Sequence, residues 1–456
     1  RDYYASRGLG DVYKRQGAYG PYTQSKRKDI YQAYVKSLVE QGLAYPCFMT
    51  EEELATIREK QESEKLLPGV YGEFAKYRDI TVEEAQKRIE NGDEYVVRLK
   101  SPGKEDKRIK FKDVIKGEIE MPENILDVVL LKKDGTPTYH FAHIVDDHLM
   151  RTTHVIRGDE WISSVPIHLQ LFWLCGLKPP KYAHISPIMK EENGGKRKLS
   201  KRKDPEAAVS YYSEVGYPKG AIWEYLMTLA NSNYEDWRLA NPNEDIDNFK
   251  FSFSKMSKAG ALFDMVKLAD VSKNYICRLS AEEVYEMVTD WAKENNKKLY
   301  KLLVDDEEYA KAIFAIERGN AKPRKDISAW TDVENYVSYF YSELWDRKFD
   351  FPDNLSNDDM IEILELYKQI YDENVSSDDW FPQVRDMAET IGYAKAPKVY
   401  KKDPDSYKGH VGDVAGVIRV AATGRRNTPD LYEILQVLGK DEVMKRFDEA
   451  IESLRG

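Results

Sequence analysis

Residues 153–185 read THVIRGDEWISSVPIHLQLFWLCGLKPPKYAHI, and the order of apolar and turn-forming residues in this stretch indicates the class of fold. The apolar segment 153–156 predicts a buried strand. A helix is then expected to begin after the serine pair that ends at Ser164, to pack through its leucines, and to end at Gly176. Residues 182–185 predict a second strand. Strands that alternate with helices predict a parallel α/β sheet.

The sequence before this stretch predicts helices first and short strands afterwards. Apolar residues recur at three- and four-residue steps after Ser25, which predicts a helix with Ser25 as its N-cap and Gly42 at its end. Charged sequence with helical character fills most of residues 50–94. Segments separated by turn signals then predict short strands at 95–99, 108–111 and 127–131.

The sequence after Pro205 predicts helices almost to the C-terminus. The clearest helix start is Thr-Pro-Asp at residues 428–430, an order typical of a cap, a proline at the first helical position and an acid in the first turn. Gly439 is expected to end that helix. The sequence therefore predicts an interrupted α/β domain followed by a long helical half.

Composition excludes several classes of protein. The chain has 456 residues, enough for about three domains, and its 42% apolar and 32% charged residues are typical of a soluble globular protein. The longest mainly apolar run, 169–177, has about half of the roughly 20 residues that a membrane helix needs. Three widely separated cysteines exclude a disulfide scaffold and suit a reducing cytoplasm. The net charge of −10 excludes a uniformly basic coat but allows a local basic patch.

The strongest chemical signal is the segment KRKLSKRK at residues 196–203, in which six of the eight residues are cationic. Asn193 and two glycines precede it and predict a flexible hinge. Several cations and a hydroxyl on a mobile loop suit the binding of a polyphosphate whose charge grows during phosphoryl or nucleotidyl transfer. A solvated charge run, or a basic patch bound by another molecule, is the alternative that composition leaves open.

The order KLSKR at residues 198–202 resembles the second signature loop of class I aminoacyl-tRNA synthetases, in the form found in glutamyl-tRNA synthetases. The resemblance extends from about residue 17 to the C-terminus, and its last two segments resemble the anticodon-binding end of bacterial members. The segments that carry it are GPYTQSKR at 20–27, TYHFAHIVDDHLM at 138–150, HVIRGDEW at 154–161, GHVGDV at 409–414 and ATGRR at 422–426.

This resemblance implies a Rossmann-type catalytic domain, N-terminally truncated, with an α+β insertion and an all-α C-terminal half. Residues 1–16 have mixed charge and no apolar period, and they are expected to be a disordered or artefactual leader. The implied divisions are a catalytic domain at 17–48 and 132–205, an acceptor-binding insertion at 49–131, a helical stem-contact region at 206–305 and an anticodon-binding domain at 306–456.

The resemblance also implies a reaction and the residues of the basic loop that take part in it. Glutamate would attack the α-phosphate of ATP to give glutamyl-adenylate and pyrophosphate, with Mg²⁺ beside the ATP phosphates. The glutamyl group would then pass to the terminal ribose of tRNA(Glu). Carried over by position, Lys201 would stabilise the departing phosphates, helped by Lys198 and Ser200. Arg202 and the ATP-binding Leu199 would complete this set.

For the amino acid, the resemblance implies a pocket formed by Tyr139, His143 and Arg157. Arg157 matches the arginine that pairs with the substrate carboxylate, and a guanidinium fork suits that pairing chemically. His143 stands where many family members have asparagine. Both side chains can form hydrogen bonds, so the substitution is compatible with a polar pocket.

The resemblance implies further partners and a location. Arg425 and Arg426 would contact tRNA phosphates or bases, although arginines are also common on surfaces that bind nothing. The chain would be a cytoplasmic monomer without a membrane partner. Whether tRNA(Gln) is a second substrate stays open.

One family motif does not occur in the sequence. The first signature, His-Ile-Gly-His, is absent, and no His-x-Gly-His is found at any position. The simplest hypothesis is an N-terminally truncated gene or chain, so we expect this polypeptide alone to activate glutamate poorly. A non-catalytic tRNA-binding module is the alternative function.

Two other patterns invite different interpretations. KMSK at residues 255–258 looks closer to the general class I loop, but no glycine hinge precedes it and GALF at 260–263 predicts a packed helix start, so we expect it outside the active site. Six of the seven histidines lie between His140 and His184, and with Asp146 and Asp147 they suggest a metal-dependent enzyme as a third hypothesis. Their spacing matches no common zinc pattern, which favours hydrogen-bonded residues around a polar pocket and no metal.

Overall fold

The computed structural model describes residues 17–456, and these residues form two compact units. Among them, no helix is both long enough and apolar enough to cross a membrane. The predicted leader at residues 1–16 lies outside the described residues. The first unit comprises the chain up to Met189 with Ala230–Ser232 and Lys250–Ala261, and the second comprises Lys190–Leu229, Asn233–Phe249 and Leu262–Gly456.

Helices and short strands alternate in the first unit. The helices are α1 (Lys28–Glu40), α2 (Glu51–Ser63), α3 (Val82–Glu90), α4 (Tyr139–Leu149) and α5 (Val165–Leu174). The strands are β1 (Ala44–Cys47), β2 (Val96–Leu99), β3 (Arg108–Asp113), β4 (Gly117–Pro122), β5 (Val129–Leu131), β6 (His154–Gly158) and β7 (Lys181–Ile185).

The strands of the first unit form two sheets. One has the order β1-β2-β5 and is antiparallel. The other has the order β4-β3-β7-β6, in which β6 and β7 run parallel and α5 provides the crossover between them. The predicted strand, helix and strand of 153–185 are therefore confirmed as a parallel α/β unit, but the first strand is not buried as predicted, since Ile156 is 53% exposed. Arg157 and His184 are direct neighbours in its register, and Asp113 of β3 is opposite Tyr182.

The main core of the first unit forms where α1, α4 and α5 pack on β2 and β5. Tyr31, Val35 and Leu38 of α1 are buried and spaced along one helical face. A buried ion pair connects α1 to the helix that carries Tyr139: Arg27 Nε lies 2.8 Å from Asp146 Oδ1, and the Tyr31 hydroxyl donates to the same carboxylate. This contact fixes the orientation of α4.

Several local predictions for the first unit are corrected. Ser25 does not cap α1, because a 3-10 turn over Gln24–Arg27 precedes the helix. Ser164 is the residue before α5, but its side chain makes no capping hydrogen bond and a 3-10 segment leads into the helix. The strand predicted at 127–131 is shorter and begins at Val129.

Apart from Met189 and Ala230, which belong to the first unit, the remaining strands and helices belong to the second unit. They form a β-hairpin followed by helices, with an isolated bridge, in the described residues. This confirms the predicted helical half. The hairpin is β8 (Met189–Glu192) and β9 (Gly195–Lys198); the helices are α6 (Val209–Val215), α7 (Lys219–Ala230), α8 (Tyr234–Ala240), α9 (Met265–Ile276), α10 (Ala281–Asn295), α11 (Lys297–Asp305), α12 (Glu307–Ala315), α13 (Val333–Val337), α14 (Asn357–Ile370), α15 (Ser377–Thr390), α16 (Pro397–Tyr400), α17 (Val411–Thr423), α18 (Leu431–Leu438) and α19 (Lys440–Arg455).

Two helix starts differ from their predictions. The N-cap of α18 is Asp430, whose carboxylate accepts from the Glu433 amide at 3.0 Å, and not Thr428. Residues 260–263 are not a helix start, because α9 begins at Met265 with Asp264 as its cap. The end of α18 at Gly439 is as predicted. In both corrected cases an aspartate further along the chain caps the helix.

The domain boundaries given above stay predictions. The structure adds that β3 and β4, which fall within the predicted insertion at 49–131, belong to the sheet that contains β6 and β7. It also divides the chain into units after Met189, ahead of the KLSKR segment.

Asp146→Ala is expected to lower the free energy of unfolding of the first unit by about 3–5 kcal/mol, because it leaves a guanidinium buried without its counter-charge. Arg27 is only 2% exposed and Asp146 is 7% exposed. Urea denaturation followed by tryptophan fluorescence measures the change. Asp79→Ala is the control, since it removes an exposed pair with Lys100 and should change little. Equal losses from the two variants would contradict the assigned role of the pair.

Candidate active site

Arg157 lies near the carboxyl end of the parallel strand β6, and its guanidinium is held by neutral groups. Its Nε donates to His184 Nε2 at 3.0 Å. Its terminal nitrogens are 3.4 Å from the Tyr139 hydroxyl, 3.3 Å from the Trp161 carbonyl oxygen and 3.4 Å from His168 Nδ1. None of the ion pairs formed by residues 17–456 includes Arg157. A half-buried cation without a protein counter-ion suits an anionic ligand.

Aromatic rings surround this guanidinium. The Arg157 Cζ atom lies 5.1 Å from the centre of the Tyr182 ring and 5.7 Å from that of Trp161. The rings of Tyr139 and Trp161 are 4.5 Å apart. Aromatic faces attract a cation and exclude water, which strengthens the electrostatic interactions of the guanidinium with a bound anion.

His143 is buried on α4 behind this pocket. Its ring is parallel to that of Tyr139, with centres 6.1 Å apart, and its Nε2 lies 2.9 Å from the Tyr182 hydroxyl. Its Nδ1 forms an ion-pair contact with Asp147, one helical turn further along. These contacts fix the orientation of the His143 ring.

The structure therefore brings together the three residues that the sequence predicts for the amino-acid pocket, Tyr139, His143 and Arg157. It adds four that the prediction omits: Trp161, His168, Tyr182 and His184. Trp161 belongs to the HVIRGDEW segment, so the motif itself contained a signal for it. The other three come from α5 and β7, and only the fold brings them to Arg157.

Five of the six histidines between 140 and 184 form side-chain hydrogen bonds, and the sixth, His148, is exposed. His140 Nδ1 is 3.0 Å from His168 Nε2, and His184 Nδ1 is 2.6 Å from Asp113 Oδ2. Burial lowers the pKa values of His140 and His184, which favours their neutral forms. Within residues 17–456, no group of three or more His, Cys, Asp or Glu side chains is placed to hold a metal ion.

The KLSKR segment lies in the second unit, at the end of the hairpin. Asn193 and Gly194 have φ values of 52° and 76° and form the tight turn between β8 and β9. Asn-Gly with both residues at positive φ is a strong hairpin signal. These residues therefore make a defined two-residue turn, and the flexibility of the hinge stays a prediction.

A buried carboxylate organises the segment that follows the hairpin. Both Asp204 oxygens lie 2.7 Å from Arg197, and one accepts the Ser200 amide at 2.8 Å. Lys190 approaches Asp204 at 3.1 Å and also contacts Glu206. The hydrogen bonds from Arg197 hold the pKa of Asp204 far below its usual range. Asp204 therefore stays ionised and fixes the backbone at Ser200.

Arg197 is therefore structural, whereas its cationic neighbours are not paired. Lys198, Lys201, Arg202 and Lys203 are exposed, and none forms an ion pair in the described part of the chain. Leu199 and Ser200 are half-buried beneath them. The segment combines an anchored backbone with unpaired cations, an arrangement that can bind several phosphate groups.

The KMSK segment at residues 255–258 makes structural contacts within the first unit. The Lys258 carbonyl oxygen accepts from Lys116 Nζ at 2.7 Å and from the Ser186 hydroxyl at 2.8 Å. Lys116 also pairs with Asp159 at 3.2 Å. The contacts involve the backbone of Lys258, and its side chain is exposed.

Arg425 and Arg426 follow Gly424, which ends α17 at a φ of 75°. A Cβ at this position would clash with the Lys348 carbonyl oxygen. Arg425 donates to Asn335 at 2.8 Å and to Ser338 at 2.9 Å, and no carboxylate within residues 17–456 pairs with it. Arg426 instead pairs with Asp350 at 3.1 Å. The two neighbouring arginines thus differ in how fully their charge is compensated.

A cavity of about 540 Å³ lies beside Arg425. Asn335, Ser338, Trp345 and Phe349 are among its lining residues. The indole Nε1 of Trp345 is buried and has no hydrogen-bond partner among the described residues. The cavity therefore offers an aromatic surface and polar donors next to an arginine without a counter-ion.

Comparison with known proteins agrees with this arrangement. Residues 9–270 match the family described as tRNA synthetases class I (E and Q), catalytic domain, and residues 405–451 match an anticodon binding domain. A glutamate–tRNA ligase of Clostridium perfringens strain SM101 is 53% identical over 444 residues, which are 96% of this chain and 80% of that relative. The glutamate–tRNA ligase of Acetivibrio thermocellus is 48% identical, over 95% of this chain and 80% of its own length.

Solved structures are also similar. A glutamate tRNA ligase from Elizabethkingia meningosepticum, crystallised in complex with its amino acid, has a TM-score of 0.72 and 28% identity, and the match covers 98% of this chain and 87% of that one. The glutamate–tRNA synthetase of Elizabethkingia anophelis has a TM-score of 0.70 and 27% identity, over 96% and 85% of the two chains.

These findings assign a class and then a family. The sheet with its crossover helix and the cationic KLSKR segment, together with the matched family, define a class I aminoacyl-tRNA synthetase. Within that class, the chain belongs to the glutamate–tRNA ligase family. Its substrates are glutamate, ATP and tRNA.

Proposed function

We propose that Arg157 binds the side-chain carboxylate of glutamate in the ATP-dependent charging of tRNA(Glu). The observation that carries this proposal is the half-buried guanidinium that has neutral partners only. Its contacts through the terminal nitrogens are 3.3–3.4 Å long, which is weak for a hydrogen bond, so an incoming carboxylate can replace them. A fork of two parallel N–H groups then receives both carboxylate oxygens.

Tyr139 and His143 complete the amino-acid pocket in this proposal. The Tyr139 ring packs against Trp161, and its hydroxyl lies 3.4 Å from one terminal nitrogen of the guanidinium. His143 is fixed by Asp147 and Tyr182, so its ring presents a constant surface behind Tyr139. A rigid wall of this kind limits the length of the side chain that reaches Arg157.

Lys198, Ser200, Lys201 and Arg202 are proposed to stabilise the triphosphate of ATP, with Leu199 against the nucleotide. During activation the glutamate α-carboxylate oxygen attacks the α-phosphorus, a P–O bond forms, and the bond to pyrophosphate breaks. Negative charge accumulates on the leaving pyrophosphate, where unpaired lysines stabilise it. In the second step a ribose hydroxyl of tRNA attacks the glutamyl carbonyl, and AMP leaves with the bonding electrons.

Mg²⁺ is proposed to accompany the ATP phosphates. The carboxylates beside the loop fit no separate metal cage, since Asp204 is engaged by Arg197 and Lys190, and Glu192 also pairs with Arg197. When bound, the ion would supply charge neutralisation on the phosphate oxygens. The residues of this chain perform the binding and orientation described above.

Arg425 is proposed to contact tRNA, and Arg426 to contribute less. The guanidinium of Arg425 has neutral partners beside an aromatic-lined cavity, which suits a phosphate or an unstacked base. Arg426 is already paired with Asp350. The proposal includes a monomeric enzyme that acts in the cytoplasm, where charged tRNA is consumed, and it leaves tRNA(Gln) as a substrate to be tested.

Arg157→Ala is expected to weaken glutamate binding about 10- to 100-fold, because it removes a charge-assisted pair with the carboxylate. Isothermal titration calorimetry with glutamate, and with a non-hydrolysable glutamyl-adenylate analogue, measures the change. Arg58→Ala, which removes an exposed arginine of α2, is the control and should bind as the parent chain does. Unchanged affinity in Arg157→Ala would reject this assignment.

Lys201→Ala is expected to weaken the binding of inorganic tripolyphosphate about fivefold, with a loss that shrinks as salt rises, since the contact is between exposed charges. Lys258→Ala is a matched control, because it removes an exposed lysine from the other KMSK-like segment. Titration calorimetry at two salt concentrations compares the variants. If Lys258→Ala produced the larger loss, the two segments would have been assigned the wrong way round.

Arg425→Ala is expected to weaken tRNA(Glu) binding and to reduce the slope of log affinity against log salt by about 1, as loss of one phosphate contact does. Arg426→Ala should change both less, because carboxylates already compensate its charge. Filter binding at several salt concentrations measures both quantities. The opposite ranking of the two arginines would exclude the proposed surface.

A further inference from the structure

A continuous set of hydrogen bonds runs from a buried carboxylate to the guanidinium of Arg157. Asp113 Oδ2 lies 2.6 Å from His184 Nδ1, and His184 Nε2 lies 3.0 Å from Arg157 Nε. All three residues belong to adjacent strands of one sheet within the first unit. Asp113 is 1% exposed and His184 is completely buried. The bonds are therefore shielded from water along their length.

Asp113 is fixed at the end of β3 by backbone amides. Its Oδ1 accepts from the amides of Ile115 at 2.9 Å and Lys116 at 2.8 Å, and its Oδ2 accepts from the His184 amide at 3.1 Å. Three amide donors and an imidazole satisfy an ionised carboxylate in this buried position. The carboxylate cannot rotate without breaking several of these bonds at once.

These contacts determine which nitrogen of His184 carries the proton. Asp113 can only accept, so Nδ1 must donate to it; Arg157 Nε can only donate, so Nε2 must accept. His184 is therefore neutral, with its proton on Nδ1. Burial lowers the pKa of His184, in agreement with the neutral form. The Tyr182 ring stacks on the imidazole, with centres 5.9 Å apart, and prevents it from tilting.

We propose that Asp113 and His184 are positioning residues that set the orientation of Arg157 for glutamate. This inference rests on the proposed role of Arg157 in binding the substrate carboxylate. The bond to Nε is the shortest that Arg157 forms, and it leaves both terminal nitrogens directed away from His184. We call the hydrogen bonds from Asp113 through His184 to Arg157 the relay. The relay holds the guanidinium at its Nε edge, and the edge with the terminal nitrogens faces the ligand.

An imidazole between the two charges has a further effect. A carboxylate in direct contact with Arg157 would fix it equally well, but it would also compete with the carboxylate of the substrate. His184 separates Asp113 from the guanidinium and donates no charge of its own in the neutral form. Arg157 is thus oriented while its charge remains available to glutamate.

Asp113→Asn tests the relay with almost no change of volume. The asparagine oxygen can keep the amides of Ile115 and Lys116, but its NH₂ group then faces His184 Nδ1. The proton of His184 then has to move from Nδ1 to Nε2. There it faces the Nε–H group of Arg157, so two donors point at each other and the hydrogen bond is lost. The analogous aspartate-to-asparagine change in serine proteases acts through the same shift of tautomer.

His184→Asn is the complementary variant. Its amide can still donate to Asp113, because the side-chain nitrogen occupies a place similar to Nδ1. It has no atom in the place of Nε2, so only the acceptor for Arg157 is lost. Asp127→Asn is the matched control, since Asp127 is another carboxylate with 1% exposure in the same unit and it bonds Tyr45 and Ser101.

The experiment uses the full chain and combines spectroscopy with binding. Long-range ¹H–¹⁵N spectra of ¹⁵N-histidine-labelled protein should show His184 protonated on Nδ1 in the parent and on Nε2 in Asp113→Asn. Glutamate affinity should fall about tenfold in Asp113→Asn and in His184→Asn, and stay unchanged in Asp127→Asn. The near-UV circular dichroism spectrum should be unchanged in all of them, which separates positioning from general unfolding of the first unit.

The possible failures are distinguishable. If Arg157→Ala retains glutamate affinity, the proposed function is wrong. If Arg157→Ala loses affinity but Asp113→Asn and His184→Asn do not, only the relay is wrong. A parent spectrum with His184 protonated on Nε2, or doubly protonated, would overturn the relay whatever the affinities.

Discussion

The central constraint in this structure is that the orientation of the Arg157 guanidinium is fixed while no carboxylate neutralises its positive charge. Arg157 has four neutral partners, the nearest of which is His184. Each of these partners depends on the surrounding fold. The parallel pairing of β6 and β7 supplies the imidazole, and the buried pair of Arg27 and Asp146 holds the helix that carries Tyr139.

The KLSKR segment solves a related problem in another way. Its backbone needs a defined shape, yet its lysines have to remain available to phosphate. Asp204 takes Arg197 and the Ser200 amide, and it leaves Lys198 and Lys201 without partners in residues 17–456. In each case a buried carboxylate, Asp113 or Asp204, fixes the local structure. A second group takes up the hydrogen bonds of that carboxylate, so the carboxylate does not pair with the cations that are proposed to bind substrate.

The sequence allowed much of this arrangement to be predicted. The order of apolar and turn residues in 153–185 was sufficient to predict β6, α5 and β7, because turn-forming residues separate the three segments. The predicted burial of β6 was wrong, since Ile156 is 53% exposed. The predicted pocket of Tyr139, His143 and Arg157 followed from resemblance, and the structure places these three residues close together. The roles of these residues, and of Lys201 and Arg425, stay predictions.

Other elements were missed for physical reasons. β9 has three cations in four residues and carries no apolar signal, so only its hydrogen-bonding partner defines it as a strand. In β4 only Ile119 and Met121 alternate with glutamates, and so short an alternation was overlooked. The Asn-Gly turn at 193–194 was a hairpin signal that the density of charge obscured. Asp113 and His184 are 71 residues apart in the sequence, and no local pattern links them. The strand register alone brings them together.

That register has a consequence for how the sequence of this enzyme can change. Arg157 and His184 are paired across two strands, and the crossover between them is a loop and a helix that lie outside the pairing. A residue gained or lost in the crossover can be absorbed there. A residue gained or lost within either strand shifts every pair by one and turns the imidazole to the opposite face of the sheet. The proposed recognition of the amino acid thus depends on the spacing of residues along two short strands as much as on their identity.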